Sequence, residues 1–347
     1  MDEHWMARSL DIARDTYPHP NPRVGAVVVD AKGEPAGEGS HAGPGRPHAE
    51  VVALNSAGIS ARDGTIYVTL EPCVHVGRTP PCVGAIVAAG IRRVVVAAED
   101  PDVRVAGKGM EALRAAGLEV EVGVMADEAR ALDPGYFHHR RTGRPMVTLK
   151  AAATLDGQVA ALDGSSQWIT DEVARKDAHR LRATADAVMV GAGTLRADDP
   201  RLDVRLPEYS GPQPVPVLVA GTRPIPVDAR LVARDPIVLS PVAIEGLDTI
   251  VAPADGAVDL RLGLEGLGRR GIVDLLVEGG PRLAASLLSE NLVDRIVLYL
   301  GARVAGGAGK TVFEGEFATL SQSRRVRITH VGTVGVDVKI EAILEDD

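Results

Sequence analysis

The chain has 347 residues, of which 45 % are hydrophobic and 24 % are charged; these values fit a globular protein large enough for two domains. Its formal net charge is −9 and only 3 % of its residues are aromatic, which argues against a nucleic-acid-binding surface with its basic face and stacking aromatics. No apolar run approaches the ~20 residues of a membrane span, and Met1-Asp2-Glu3 does not begin a secretory signal. We therefore expect a cytoplasmic protein with neither a membrane nor a nucleic-acid partner.

Short strands and helices alternate over the first ~140 residues, which predicts an α/β domain. An amphipathic helix is predicted at Asp2–Asp15, and a hairpin is predicted from Val24–Asp30 and Pro35–Ser40. The later predicted elements are helix His48–Asn55, strand Thr65–Leu70, helix Cys82–Ala89, strand Arg93–Ala98, helix Gly109–Ala116 and strand Leu118–Val124. This order predicts one sheet flanked by helices.

Three short segments in this half carry the most informative pattern: His48-Ala49-Glu50, Glu71-Pro72-Cys73 and Thr79-Pro80-Pro81-Cys82. They supply one imidazole and two thiolates as metal ligands, and they leave the carboxylate of Glu50 outside the ligand set. Three protein ligands with an open fourth position are typical of catalytic zinc. The pattern is that of zinc deaminases, which remove an exocyclic amine from a pyrimidine or purine ring and use the carboxylate to move protons.

Two cysteines separated by eight residues could instead close a disulfide loop or be ordinary buried thiols. Zinc deaminases generally have two residues between these cysteines, so the longer loop indicates a particular branch. The predicted position of both ligand clusters near helix N-termini favours thiolates and therefore a zinc site. Because the chain has no other cysteines, a zinc site leaves none for a structural disulfide, as expected in a reducing cytoplasm.

The segment His138–Pro145 is basic and contains Gly143 and Pro145, and it predicts the boundary between domains of residues 1–142 and 146–347. Its charges would suit a phosphate site, but we interpret the segment as a solvated linker. A second α/β pattern follows it. The predicted elements are strand Met146–Ala152, helix Asp171–Thr184, strands Ala187–Gly191, Val217–Ala220, Ile237–Ser240 and Asp274–Glu278, helix Pro281–Glu290 and strand Arg295–Leu300.

A glycine pair, Gly279-Gly280, joins one of these strands to a helix. Paired glycines let backbone N–H groups approach an anion at a helix N-terminus, so a nucleotide phosphate site and a plain tight turn are both compatible with this segment. Gly191-Ala192-Gly193 also follows a strand, but Arg196 stands where a dinucleotide fingerprint needs its third glycine. Any NAD(P) in the second domain is therefore not bound by a standard Rossmann turn.

Motifs across nearly the whole chain resemble one bifunctional family of riboflavin biosynthesis, diaminohydroxyphosphoribosylaminopyrimidine deaminase joined to 5-amino-6-(5-phosphoribosylamino)uracil reductase. The twelve-residue match Glu71-Pro72-Cys73-Val74-His75-Val76-Gly77-Arg78-Thr79-Pro80-Pro81-Cys82 accounts for the long cysteine spacing. The other matches are His19-Pro20-Asn21-Pro22-Arg23-Val24-Gly25, Pro47-His48-Ala49-Glu50-Val51, Leu155-Asp156-Gly157, Ser166-Gln167-Trp168-Ile169-Thr170, Thr194-Leu195-Arg196-Ala197-Asp198-Asp199-Pro200 and Glu278-Gly279-Gly280-Pro281.

The resemblance implies an α/β chain with a cytidine-deaminase-like three-layer domain followed by a dihydrofolate-reductase-like domain that binds NADPH. It implies that His48, Cys73 and Cys82 hold one Zn²⁺, that Glu50 transfers protons, and that Asn21 contacts the deaminase substrate. The implied NADPH contacts are Ala152, Trp168, Thr194, Asp198, Gly221, Gly280, Pro281, Arg282, Leu283, Ala284, Ala285 and Ser286. The implied contacts to the ribosyl phosphate substrate are Ser166, Arg182, Leu202, Arg205 and Glu278.

Two of these positions depart from the family pattern, because Ala152 stands where glycine can occur and Gly221 where serine can occur. Backbone atoms would make both contacts. The implied activity is hydrolytic deamination of 2,5-diamino-6-(5-phosphoribosylamino)pyrimidin-4(3H)-one, followed by NADPH-dependent reduction of the ribosyl group of 5-amino-6-(5-phosphoribosylamino)uracil to ribityl. We also expect a homo-oligomer, because exposed sheet edges of such reductase domains often pair.

Three alternatives remain open at this point. The chain could be a nucleic-acid deaminase with an unrelated second domain, a zinc-stabilised binding protein without activity, or an enzyme with only one active half. The acidic charge and the motifs of the second half argue against the first alternative, and Glu50 would have no purpose in the second.

Overall fold

The computed structural model describes residues 1–75, 77, 79–221, 224–226, 228–315 and 318–345. Two residues of the twelve-residue motif, Val76 and Arg78, lie outside this part of the chain. The chain divides into two compact units, Met1–Gly143 and a second unit that begins at Arg144. Among the described helices, none has the length and apolar character needed to cross a bilayer.

In the part of the first unit that the structure describes there are a five-stranded sheet and six α-helices. Its strands are β1 (Gly25–Val29), β2 (Pro35–Ser40), β3 (Thr65–Leu70), β4 (Arg93–Ala98) and β5 (Glu119–Val122). Its helices are α1 (Asp2–Arg14), α2 (Ala49–Ala57), α3 (Cys82–Ala88), α4 (Lys108–Ala115), α5 (Ala126–Leu132) and α6 (Pro134–Thr142), with a 3-10 turn at Gly58–Ala61. The strand order is β2-β1-β3-β4-β5, and β3, β4 and β5 are parallel.

Helices cover both faces of this sheet, as two glycines demonstrate. A Cβ built on Gly25 would lie 2.0 Å from the carbonyl oxygen of Ser9 in α1, so this close approach requires glycine. Gly39 pairs with Ala26, the next residue along β1, and therefore faces the opposite side of the sheet. A Cβ on Gly39 would lie 2.5 Å from the carbonyl oxygen of Ala49 in α2. The resulting helix–sheet–helix arrangement confirms the predicted three-layer architecture.

The core of the first unit lies on both sides of its central strands. All five residues of β1 are buried, as are five of the six residues in each of β3 and β4. Strands covered on both faces need apolar side chains at successive positions and not at alternate ones. This burial explains why Val94-Val95-Val96 and Ala26-Val27-Val28-Val29 are continuous apolar runs.

The described residues of the second unit form a nine-stranded mixed sheet, two further two-stranded sheets and four α-helices. Its strands are β6 (Met146–Thr154), β7 (Gln158–Ala160), β8 (Ala187–Gly191), β9 (Val215–Val219), β10 (Ile237–Ser240), β11 (Asp248–Val251), β12 (Pro253–Ala254), β13 (Ala257–Val258), β14 (Asp274–Val277), β15 (Arg295–Gly301), β16 (Lys310–Thr311), β17 (Val326–Val334) and β18 (Asp337–Leu344). Its helices are α7 (Glu172–Ala183), α8 (Ala192–Asp198), α9 (Leu260–Arg269) and α10 (Pro281–Ser289), with 3-10 turns at Val232–Arg234 and Leu320–Gln322.

The two-stranded sheets pair β12 with β13, and β16 with β7. The order of the large sheet is β11-β10-β9-β8-β14-β6-β15-β18-β17. Its first seven strands run parallel, and the hairpin of β17 and β18 adds antiparallel to β15. Because the parallel strands β9, β8, β14 and β6 are neighbours, the loops at their carboxyl ends meet at one edge, where ligands bind in open α/β sheets. This is the predicted dihydrofolate-reductase-like domain.

One sequence prediction is wrong in its local structure. His138–Thr142 is not a solvated linker but the last part of helix α6. Pro134 begins that helix, Gly143 ends it in a left-handed conformation with φ 76°, and Tyr136 and Phe137 anchor it in the core. The basic residues lie in the last turns of a packed helix, and this run of charges hid the amphipathic pattern of the helix in the sequence.

Candidate active sites

Three elements of the first unit bring the predicted zinc ligands together. His48 caps α2, Cys73 follows β3, and Cys82 is the first residue of α3. His48 Nδ1 lies 3.1 Å from Cys82 Sγ and 3.6 Å from Cys73 Sγ. Tetrahedral zinc, with Zn–S of ~2.3 Å and Zn–N of ~2.0–2.1 Å, needs N···S separations of ~3.5 Å, so this donor set fits the ion and leaves a fourth position.

Hydrogen bonds around the cluster orient the His48 ring and favour the thiolate form of Cys73. The other ring nitrogen, His48 Nε2, lies 3.3 Å from Thr79 Oγ1, which orients the ring so that Nδ1 faces the sulfurs. A hydrogen bond with the Cys82 thiol, with further ones from His48 and the Cys82 backbone N–H, lowers the pKa of the Cys73 thiol to about 4. Cys73 is therefore a thiolate at neutral pH.

Glu50 lies in the first turn of α2 and is only 3 % exposed. Burial raises the pKa of its carboxyl group. Glu50, His48 and Cys73 line one cavity of 490 Å³, a size suited to a small-molecule site. Glu50 is thus a carboxylate on the wall of the same cavity as the ligand cluster and not one of the ligands.

Asn21 lines this cavity as well, and His41 orients it. His41 Nδ1 donates to the carbonyl oxygen of Pro47 at 3.1 Å, and His41 Nε2 lies 2.8 Å from Asn21 Nδ2. Burial lowers the pKa of His41, so its ring is neutral and Nε2 accepts from the Asn21 amide. The Asn21 carbonyl oxygen is thereby directed away from His41. His41 carried no sequence signal of its own.

Glu71 is a second residue whose role the sequence did not indicate, although it belongs to the cysteine motif. Its buried carboxylate accepts hydrogen bonds from the backbone N–H groups of Gly107 at 2.9 Å and Gly109 at 2.8 Å. It also accepts from those of Asp100 and Met110 at 3.2 and 3.4 Å. These bonds fasten the loop after β4 to the segment that carries Cys73. Glu71, which also lines the cavity, therefore holds this loop at the cavity wall.

In the second unit, an ion pair forms the centre of the predicted substrate site. Arg182 on α7 donates to Glu278 at the end of β14, with Nε–Oε1 and Nη2–Oε2 distances of 2.6 and 3.0 Å. Arg182 Nη1 also donates to the Asp203 carbonyl oxygen at 2.9 Å, and Lys150 Nζ lies 3.9 Å from Glu278 Oε2. Burial would raise the pKa of Glu278, but the charges of Arg182 and Lys150 outweigh it and hold the pKa at about 2.

The other predicted substrate residues divide into two groups. Leu202 and Arg205 lie beside the ion pair: the Arg205 backbone N–H donates to His179 Nδ1 at 3.2 Å, and Leu202 is buried with φ 57°. Ser166 instead lines a pocket of 580 Å³ together with Trp168. Among the described residues that line that pocket, none belongs to the group around Arg182. The sequence did not indicate Lys150 and His179, because only the fold brings them close to Glu278 and Arg205.

The predicted cofactor residues collect at the carboxyl edge of the large sheet. Ala152 lies in β6, Thr194 and Asp198 lie in α8 after β8, and Gly221 follows β9. Gly280 caps α10, and a Cβ on it would lie 3.5 Å from Thr194 Oγ1, so these two segments are adjacent. This edge can present backbone N–H groups to an extended nucleotide.

Within Gly280–Ser286, the side chains have different surroundings. Leu283 and Ala284 are buried in the core, so any ligand would meet only their backbone. The Arg282 side chain is exposed and its Nε lies 2.9 Å from Glu314 Oε2. A Cβ on Gly279 would lie 2.7 Å from Leu283 Cδ2, so this glycine serves the tight turn itself.

Comparison with known proteins identifies both units. The family described as cytidine and deoxycytidylate deaminase zinc-binding region matches residues 1–98, and the RibD C-terminal domain matches residues 145–340. The chain is 42 % identical to riboflavin biosynthesis protein RibD of Aquifex aeolicus, with 98 % of each chain covered. It is 39 % identical to the Escherichia coli protein of that name, with 95 % of this chain and 97 % of the other covered.

Solved structures agree with these sequence relatives. Acinetobacter baumannii RibD superimposes with a TM-score of 0.92 at 36 % identity, covering 99 % of both chains. A diaminohydroxyphosphoribosylaminopyrimidine deaminase/5-amino-6-(5-phosphoribosylamino)uracil reductase from Thermotoga maritima gives a TM-score of 0.87 at 33 % identity, covering 99 % of this chain and 98 % of that one.

A three-layer zinc-deaminase domain joined to a dihydrofolate-reductase-like domain defines a two-domain deaminase and reductase. The chain belongs to the RibD family of riboflavin-biosynthesis proteins. The two matched domain families lie in the two compact units of the chain.

Proposed function

We propose that the chain deaminates 2,5-diamino-6-(5-phosphoribosylamino)pyrimidin-4(3H)-one in its first domain and reduces the ribosyl group of 5-amino-6-(5-phosphoribosylamino)uracil to ribityl in its second. The observation that carries the first half is the convergence of His48 Nδ1, Cys73 Sγ and Cys82 Sγ within 4.8 Å on a cavity that Glu50 also lines. The proposal uses one Zn²⁺ and NADPH as cofactors, as in the family.

In the deaminase site, His48, Cys73 and Cys82 hold zinc, and Glu50 moves protons. Zinc, when bound, supplies a Lewis acid that makes water nucleophilic near neutral pH. Glu50 accepts a proton from the attacking water and returns it to the departing amine, so that ammonia leaves. Asn21, oriented by His41, contributes an amide oxygen that accepts a hydrogen bond from the pyrimidine ring or its amino group.

In the reductase site, the carboxyl edge of the large sheet holds NADPH through Ala152, Thr194, Asp198, Gly221 and the segment 280–286, with Trp168 beside it. NADPH supplies the hydride that reduces C1′ of the opened ribose. Arg205 and the remaining N–H groups of Arg182 hold the substrate phosphate, while Glu278 fixes Arg182. The backbone of Leu202 completes the substrate contacts beside Arg182, and Ser166 contacts the substrate from the pocket that it lines with Trp168.

The deaminase assignment is tested by Glu50→Gln, which keeps the shape of the side chain but removes the proton acceptor. We expect ammonia release to fall by about 10²–10⁴-fold, with one zinc retained per chain by elemental analysis. The matched control is Glu111→Gln, on the exposed surface of α4, which leaves activity unchanged. Deamination that survives in the zinc-loaded Glu50→Gln variant would contradict the role of Glu50.

The reductase assignment is tested by Arg205→Ala. We expect KM for the ribosyl phosphate substrate to rise while KM for NADPH stays the same, because Arg205 belongs to the Arg182 group. The control is Arg180→Ala, an exposed arginine on α7. A parallel change in both KM values would argue against a phosphate contact.

We further propose a homo-oligomer and a cytoplasmic location. Strand β17 is the last in the sheet order, and Val326, Ile328 and Val331 on it are 43 %, 59 % and 59 % exposed, which suits pairing with a second copy. Both cysteines are unpaired thiols, as in a reducing compartment. Light scattering tests the first proposal, and a monomeric mass would overturn it; cell fractionation tests the second, and recovery outside the cytoplasm would overturn it.

A further inference from the structure

One part of the deaminase cavity carries two arginines that the proposed chemistry does not use. Its lining includes Arg104, from the loop after β4, and Arg140, from α6, in addition to His48, Cys73 and Glu50. Arg140 belongs to the basic segment that the sequence suggested was a linker. Two arginines in a cavity that already contains a complete hydrolytic site require an explanation of their own.

Aromatic packing fixes the position of Arg140. Its guanidinium carbon lies 5.0 Å from the centre of the Tyr136 ring, one helical turn earlier. The Tyr136 hydroxyl lies 3.1 and 3.2 Å from the two carboxylate oxygens of Asp100, to which it donates. Asp100 Oδ1 also accepts the backbone N–H of Asp102 at 2.9 Å. The support beneath Arg140 is therefore tied to the loop that carries Arg104.

One carboxylate oxygen aligns the two arginines. Arg104 Nη2 lies 2.5 Å from Asp102 Oδ2, and Arg140 Nε lies 3.8 Å from the same oxygen. The pKa of Asp102 is lowered to about 2, mainly by the hydrogen bond with Arg104, so this carboxylate is ionised. Two guanidinium groups share this carboxylate. Asp100, the other carboxylate in this part of the cavity, accepts hydrogen bonds from the Tyr136 hydroxyl and the Asp102 backbone N–H.

Arg140 also has unused hydrogen-bonding capacity. Its Nε is buried and makes no hydrogen bond with any of the described residues. A buried donor without a partner costs free energy, so such a group in a cavity indicates a missing acceptor. A planar guanidinium matches the oxygens of a phosphate better than those of a neutral ring.

We propose that Arg104 and Arg140 bind the phosphate monoester of the deaminase substrate, with Asp102 holding the two guanidinium groups in place. This inference rests on the proposed deaminase function, and it identifies how the cavity selects a phosphorylated substrate over its nucleoside. The pyrimidine lies at the zinc end, and the ribosyl chain extends to the arginines.

The test compares ammonia release from the phosphorylated substrate and from its dephosphorylated nucleoside. For Arg140→Ala and Arg104→Ala we expect kcat/KM to fall by about 10–100-fold on the phosphorylated substrate and to change little on the nucleoside. Arg140→Lys restores part of the loss. The control is Arg130→Ala, an exposed arginine of α5 paired with Asp127, which leaves both values unchanged. An unchanged ratio between the two substrates in zinc-loaded Arg140→Ala and Arg104→Ala would overturn the proposal.

A second measurement does not depend on deaminase turnover. Hydrogen exchange with and without ribose 5-phosphate is followed in peptides covering residues 100–110 and 134–142, which separates this site from any binding in the second domain. We expect protection of both peptides in the wild-type protein and its loss in Arg104→Ala, whose side chain is largely exposed and tolerates truncation. Absence of protection in the wild-type protein would overturn the phosphate site, whereas protection without ammonia release would contradict only the deaminase function.

Discussion

Glu278→Gln tests whether the buried ion pair of the second domain is held together by charge. Glu278 is ionised between Arg182 and Lys150, and its folded-state pKa is about 2, against an ordinary value of 4.5. At ~1.4 kcal/mol for each tenfold change in proton affinity, this difference corresponds to about 3 kcal/mol of stability. Because the folded pKa is the lower one, the contribution is complete above pH 4.5 and is lost as the pH falls towards 2.

The amide variant removes this pH-dependent stability and leaves the buried Arg182 without its counter-charge. We expect the free energy of unfolding of the second domain at pH 7 to fall by about 3–5 kcal/mol. We also expect the loss of stability between pH 4.5 and pH 2 to be smaller by about 3 kcal/mol than in the wild-type protein. Both effects belong to the second domain because both partners lie in it.

The assay is urea unfolding of the full chain at several pH values, with hydrogen exchange of peptides from β14 and α7 reporting the second domain. Glu314→Gln is the matched control, because Glu314 pairs with the exposed Arg282 and such surface pairs contribute only ~0–1 kcal/mol. Equal pH dependence in wild-type and Glu278→Gln proteins would refute the electrostatic reasoning.

Three further predictions concern the first domain. Gly39→Ala should destabilise it by about 1–3 kcal/mol in thermal unfolding, because the new Cβ would lie 2.5 Å from backbone atoms of α2. The control Gly84→Ala, whose Cβ would enter open space on α3, should leave the stability unchanged. Equal effects of the two substitutions would contradict the packing argument. Glu71→Gln should speed amide exchange at Gly107 and Gly109 by about 10–100-fold, and unchanged exchange would show that the loop is held otherwise. After a chelator has removed zinc, Cys73 should be alkylated at pH 6, because the pKa of its thiol is about 4. Mass spectrometry should show that restored zinc protects Cys73 from alkylation. Alkylation only above pH 8 would contradict the lowered pKa.

Local sequence was enough to predict the buried strands and the three residues, His48, Cys73 and Cys82, that the structure brings together as candidate metal ligands. Thr65–Leu70, Arg93–Ala98, Ala187–Gly191 and Ile237–Ser240 have the predicted bounds, because strands covered on both faces are apolar runs with clear ends. These three residues are recognisable as candidate zinc ligands because each lies at a helix start or just after a strand, next to the short motifs that carry them.

Other parts of the sites depend on contacts between distant segments, which one sequence does not reveal. Lys150 on β6 approaches Glu278 at the end of β14, and the Asp203 carbonyl oxygen accepts from Arg182 on α7, only because the fold brings these segments together. Helix α6 was missed for a different reason. Pro134 and Gly143 mark its ends, but the run of histidines and arginines between them suggested an exposed segment. Only the folded structure shows that Tyr136 is buried and that Arg140 lines a cavity beside it.

The central claim is that one chain performs both reactions in order, and one incubation tests it most directly. Zinc-loaded protein is mixed with 2,5-diamino-6-(5-phosphoribosylamino)pyrimidin-4(3H)-one, with and without NADPH, and ammonia and NADPH absorbance are followed together. Ammonia release without NADPH, and NADPH oxidation only after deamination, is the predicted result. NADPH oxidation without prior ammonia release, or neither signal from fully zinc-loaded protein, would contradict the account.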